Sequence, residues 1–215
     1  MANMIKISPE VLRAAAGKQE TAAAQMEDLC IKLKVLTSNL EAAWQGNSGE
    51  EAANGLAELY DSTKKASRAV EASANKLKQI ASLFEAVDEG SDQSIFAGAV
   101  SWLRDLIRPI IGTPAPRFFI KVVTFLNIDP DAVRNVSGGL IEVSAALFEI
   151  RDIVTESTSG LANDWVGKAY TKYAEESATL VNSLDNLAEA VTEYAAKIRR
   201  AADRYEELDE ALTQN

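Results

Sequence analysis

Few residues in this chain can do covalent chemistry. Its 215 residues include no His and a single Cys, Cys30. A Ser-His or Cys-His pair, a His-ligated zinc, an internal disulfide and a Cys-rich metal centre are therefore excluded. Carboxylates are plentiful, 32 Asp+Glu against 22 Lys+Arg for a net charge of −10. Their clusters read as solvated helix faces rather than acid/base pairs. No catalytic residue, cofactor or metal is expected, and an enzyme is the least expected class. Cys30 reads as a small, half-buried residue without redox work. What stands out instead is a pair of tripeptides, Trp44-Gln45-Gly46 and Trp165-Val166-Gly167. Each indole suits a core aromatic closing a turn, and each glycine suits a backbone with φ > 0.

The two tripeptides are 121 residues apart, and the whole chain repeats at that offset without a gap. Ile7-Ser8-Pro9-Glu10 falls on Ile128-Asp129-Pro130-Asp131, Arg13 on Arg134, Gly17 on Gly138, and Thr37-Ser38 on Thr158-Ser159. Identical residues fill 22 of the 84 positions from 7 to 90. Each repeat opens with a helix start. Ser8 or Asp129 suits the N-cap, Pro9 or Pro130 the first helical position, and Glu10 or Asp131 the positive end of the dipole. Apolar rows with a seven-residue period follow, such as Leu12, Gln19, Met26, Leu33, Leu40 beside Ala15, Ala22, Leu29, Leu36. This is the a/d seam of a coiled-coil-like helix. The rows stop at the turn-rich Trp44–Gly49 and then resume, with Phe84 and Tyr205 late in one row and Leu208 at the end of the other. Each repeat is thus expected to be a hairpin of two helices, each about 38–40 residues, with Trp-x-Gly at its tip. One hairpin buries one face per helix, so two together make an all-α, antiparallel four-helix bundle.

The expected organisation is a first hairpin over residues 1–90, a connector over 91–127 and a second hairpin over 128–215. Within the connector Phe96, Val100 and Leu103 suggest a short amphipathic helix. Pro109 and Pro114–Pro116 break it, and Phe119 and Phe125 lie beyond. Net charge is −3, +2 and −9 over the three segments. Such a balance excludes nucleic acid and anionic membrane as main partners, since both need clustered Lys and Arg. The longest uncharged run, Gln93–Leu103, has 11 residues, short of a membrane span, and stable membrane insertion is not expected. Met1–Ser8 has no apolar run resembling a secretory signal.

A segment of this length opening on Ile-x-Pro-Glu, with Trp-x-Gly between two long helices, resembles the WXG family of type VII secretion substrates. These are the small hairpin proteins similar to the early secreted antigen of mycobacteria. Both repeats carry the resemblance. It implies a pseudo-dimer fused into one chain, monomeric, without enzymatic activity, and secreted folded from the bacterial cytoplasm. Tyr205-Glu206-Glu207-Leu208-Asp209 matches the family's export signal. The first repeat departs from it, with Phe84 in place of Tyr and Asp88 conserving the acid. The implied recognition set is Trp44, Gly46, Tyr205 and Asp209, brought together by antiparallel pairing and left unblocked. Trp165, Gly167, Phe84 and Asp88 are the counterparts, covered in part by the connector's ends. The implied partner is the membrane ATPase of the secretion system, with an effector or host protein as a further one. The competing reading is an intracellular adaptor or chaperone for the helical targeting domain of an effector. A third is membrane perturbation by the connector.

Overall fold

The computed structural model describes residues 8–88 and 128–213. The connector expected over 91–127 lies outside them. Among the described residues there are four long α-helices: α1 (Pro9–Ala43), α2 (Asn47–Asp88), α3 (Pro130–Ser159) and α4 (Lys168–Thr213). Both helix starts are built as the capping residues dictate. The Val11 N–H donates to Ser8 Oγ at 3.4 Å, and the Ala132 N–H to Asp129 Oδ1 at 3.0 Å. Pro9 and Pro130 take the first helical position, where a missing N–H costs nothing.

The two tips differ more than the gap-free repeat suggests. At the first, α1 ends at Ala43 and α2 begins at Asn47. Gly46 turns the chain with φ 94°. Gly49 is already helical, and a Cβ there would strike the Trp44 carbonyl. At the second tip, α3 ends at Ser159 and a 3₁₀ turn runs over Gly160–Asn163. Gly167, at φ 132°, then leads into α4. The helices consequently have 35, 42, 30 and 46 residues rather than a common length.

The chain divides into two compact units, each drawing on all four helices. Unit one holds residues 8–27, 64–88 and 148–185 among those described; unit two holds 28–63, 128–147 and 186–213. In unit one Leu12, Leu77, Ile80, Leu161, Trp165 and Tyr173 are buried in one cluster, with Val11 and Phe84 packed against it. In unit two Leu33, Leu40, Trp44, Leu56, Val133 and Leu140 are all buried. The tip of each hairpin therefore shares a unit with the free ends of the other, which is antiparallel pairing. The heptad rows are buried almost throughout. Leu208 is the exception at 51% exposed, because α4 runs on past the first tip, and the residues from Glu206 to Ala211 all face solvent. Cys30 is fully buried, not half-buried. It lies one helical turn from the buried Met26 and Leu33.

A duplicated ion pair repeats the offset in three dimensions. In unit one the Arg13 guanidinium donates to Glu85; in unit two Arg134 donates to Glu206. Arg134 also binds Asp203 at 2.9 Å and Asp131 at 3.1 Å. No helix among the described residues is long and apolar enough to cross a membrane.

Candidate functional site: the Trp-x-Gly tips

In unit two, α1 delivers Trp44 to the end of its buried row, and α4 brings Tyr205 to it. The two rings meet edge to face, with centroids 6.1 Å apart and planes at 76°, a geometry favoured by their opposed ring charge distributions. Gly46 lies two residues beyond the indole on the exposed turn. Asp209 is one helical turn past Tyr205 and exposed. Of the four residues expected to act together, three are thus gathered around one tip, and Asp209 follows on the same helix face. A shallow cleft lies beside them, lined by Glu41, Trp44, Gln45, Gly46, Gly49 and Glu50 among others.

Two details change the expected picture. Trp44 is only 1% exposed, so its indole closes the core rather than standing on the surface. This tip is also partly covered. Ile128 forms an isolated antiparallel bridge with Trp44, and the Asp129 N–H donates to the Ala43 carbonyl at 2.8 Å. The start of the second hairpin is laid on the tip of the first. What remains accessible is the turn at Gln45-Gly46 and the acidic tail of α4.

Tyr205 carries a chemical anomaly. Its ring is half-buried, and its hydroxyl oxygen is buried with no hydrogen-bond partner among the described residues. Burial also raises its pKa above the usual phenol range, so it is a neutral donor. The surrounding acids are not equivalent. Glu206 is engaged by Arg134, whose own pKa is pushed up first by Glu206 and then by Asp203.

The counterpart set in unit one is arranged differently. Trp165 is as buried as Trp44, and two tyrosines of its own hairpin lie near it. They are Tyr173, with centroids 5.5 Å apart, and Tyr170 at 5.8 Å. Phe84 occupies the position of Tyr205 and packs against this cluster. It has no hydroxyl to offer. Asp88 closes α2, and its side chain lies outside the described residues.

Sequence reasoning passed over a group of buried polar residues in unit one. Gln19, Ser73, Ser157 and Ser177 were visible as polar members of apolar rows, which is the signal that could have found them. Gln19 and Ser73 bond the Tyr173 hydroxyl, Ser157 bonds Gln19, and Ser177 bonds Thr158. Gln19 Nε2 donates to Ser157 Oγ at 3.0 Å and to Tyr173 Oη at 3.1 Å; Ser73 Oγ meets Tyr173 Oη at 3.1 Å. Among the described residues no cluster of carboxylates or Cys is placed to hold a metal ion.

The family model described as WXG100, proteins of 100 residues with WXG, matches the chain twice, over residues 4–89 and 126–210. No curated protein and no solved structure matches it.

Proposed function

Since the chain belongs to the WXG100 family, in two copies, it is a helical protein associated with type VII secretion, and we propose that it is exported folded, as an internal pair of hairpins, through a one-sided composite signal. The signal is the first tip with the tail of α4: Gly46 and the turn around it, Tyr205 and Asp209. Trp44 acts from beneath as the plug that holds turn and tail together. The reader of this surface is the membrane ATPase of the secretion system, and a single folded chain is the exported species.

One observation carries the reading. Tyr205 keeps a buried hydroxyl without a partner among the described residues, beside the family's tryptophan, where the first repeat has Phe84. A buried unsatisfied hydroxyl costs about 1–3 kcal/mol, and phenylalanine at the equivalent position avoids that cost. A residue kept against stability is best explained by a partner that uses its donor.

The test compares secreted with cell-retained protein for Asp209→Asn and Asp88→Asn, at matched melting temperature. Removing the exposed charge of Asp209 changes stability by no more than about 0.5 kcal/mol. Export lost in the first and kept in the second supports the one-sided signal. Equal export of both removes Asp209 from it.

A further inference from the structure

We propose that each hairpin of this chain is built to recognise the other repeat and to reject a copy of itself, through two buried groups that only the unlike partner accommodates. The first is Gln19 of repeat one, which is fully buried. Its amide donates to Ser157 and Tyr173, both from repeat two. At the 121-residue offset, repeat one itself carries Leu36 where repeat two has Ser157, and Ala52 where it has Tyr173. Two copies of repeat one paired in the same way would bury the Gln19 amide against a leucine and an alanine. A buried amide without a partner is strongly disfavoured.

The reciprocal group is Tyr194 of repeat two, which is fully buried in unit two. Its hydroxyl donates to the Ala52 carbonyl at 2.5 Å, over Gly55. A Cβ at position 55 would lie 2.2 Å from the Tyr194 hydroxyl oxygen and 2.6 Å from the ring carbon that bears it, well inside contact distance. Repeat two carries Glu176 at that position. Two copies of repeat two would therefore press a glutamate side chain into the space Tyr194 fills, and a close-packed core cannot yield that much room. Repeat one avoids the clash on both counts, with Gly55 in one place and Ser73 at the position of Tyr194. The like pairs thus fail for different reasons, an unsatisfied amide in one and overpacking in the other. A hairpin from elsewhere would be accepted by repeat one only if it brought hydroxyls at the positions of Ser157 and Tyr173.

The experiment uses full-length chains and thermal melts. Gly55→Ala should lower Tm by about 3 °C or more in the natural chain through the Tyr194 clash. In a Tyr194→Leu background the same substitution should be neutral or raise Tm, because alanine is the better helix former. Likewise, the Tm change caused by Gln19→Leu should be more favourable by about 3 °C in a Ser157→Ala/Tyr173→Phe background than in the natural chain. Additive shifts in both cycles would overturn the proposal. A third arm replaces residues 128–211 by residues 7–90, giving a chain with two copies of repeat one. It should melt well below the natural chain or fail to fold; a Tm equal to the natural one would also overturn the proposal.

Discussion

Tyr205→Phe separates stability from recognition more cleanly than any other single change in this protein. The substitution keeps the ring that meets Trp44 edge to face at 6.1 Å and deletes only the hydroxyl. That oxygen is buried and has no partner among the described residues, so no hydrogen bond within them is lost. A buried, unsatisfied hydroxyl is worth a penalty of about 1–3 kcal/mol. Because the residue as a whole is only half-buried, the lower end applies, and relief of up to about 1 kcal/mol is expected. For a chain of this size that corresponds to a Tm unchanged or raised by up to about 4 °C. Export is expected to fall sharply in the same variant. The assays are a circular-dichroism melt and the secreted fraction from culture, normalised to an unrelated secreted protein. A Tm lowered by more than about 3 °C would mean that the hydroxyl is bonded and structural. Unchanged export would mean that no partner reads it. Either result refutes the reasoning.

Further outcomes follow from the turns, the helices and the tyrosines. Gly46→Ala should cost about 1–2 kcal/mol for placing a Cβ at φ 94°, and Gly167→Ala about 1–3 kcal/mol at φ 132°; urea titrations measure both. Gly17→Ala should stabilise by about 1 kcal/mol, since nothing lies within 4 Å of the new methyl in mid-helix. Gly139→Ala, in the same kind of helix, should instead destabilise by about 1–3 kcal/mol because the methyl meets Leu36. Burial raises the pKa of Tyr173, Tyr194 and Tyr205 above that of an exposed phenol. Their titration leaves folding stability unchanged below about pH 10 and lowers it as pH climbs past that value, because the folded chain resists losing these protons. Helix signal and tyrosinate absorbance should therefore change together in an alkaline titration.

Much of this fold is written in repetition. The common 121-residue offset places both N-caps, both tips and the buried rows, because a heptad seam has to be covered along its whole length. Pairing Trp44 with Tyr205 follows from the same pattern once the hairpins run antiparallel. What the pattern hides is decided by individual contacts. A row position says that Gln19 points inward, but not that Ser157 and Tyr173 wait there for its amide. The alignment equates Gly55 with Glu176 without showing that a tyrosine from the other repeat lies over one of them. The helical start at Asn47 was obscured by the turn-forming residues Asn47-Ser48-Gly49, of which Gly49 serves close approach to the Trp44 carbonyl rather than a bend. Leu208 keeps the period but outruns its partners. Ile128 gives no local hint that its backbone will be stitched to Trp44.

The duplication within one chain also sets how the pairing responds to dilution. Two hairpins on separate chains obey mass action, and a pair with a Kd of about 1 μM is mostly apart at about 10 nM. Here residues 89–127 join the hairpins covalently, so each meets the other at an effective concentration on the order of 1 mM, whatever the bulk concentration. With the same intrinsic affinity, the closed form is then favoured by about a thousandfold, or about 4 kcal/mol. The tether makes the pairing unimolecular, with an equilibrium independent of total concentration, so the pair stays closed when a concentrated compartment empties into an unlimited volume.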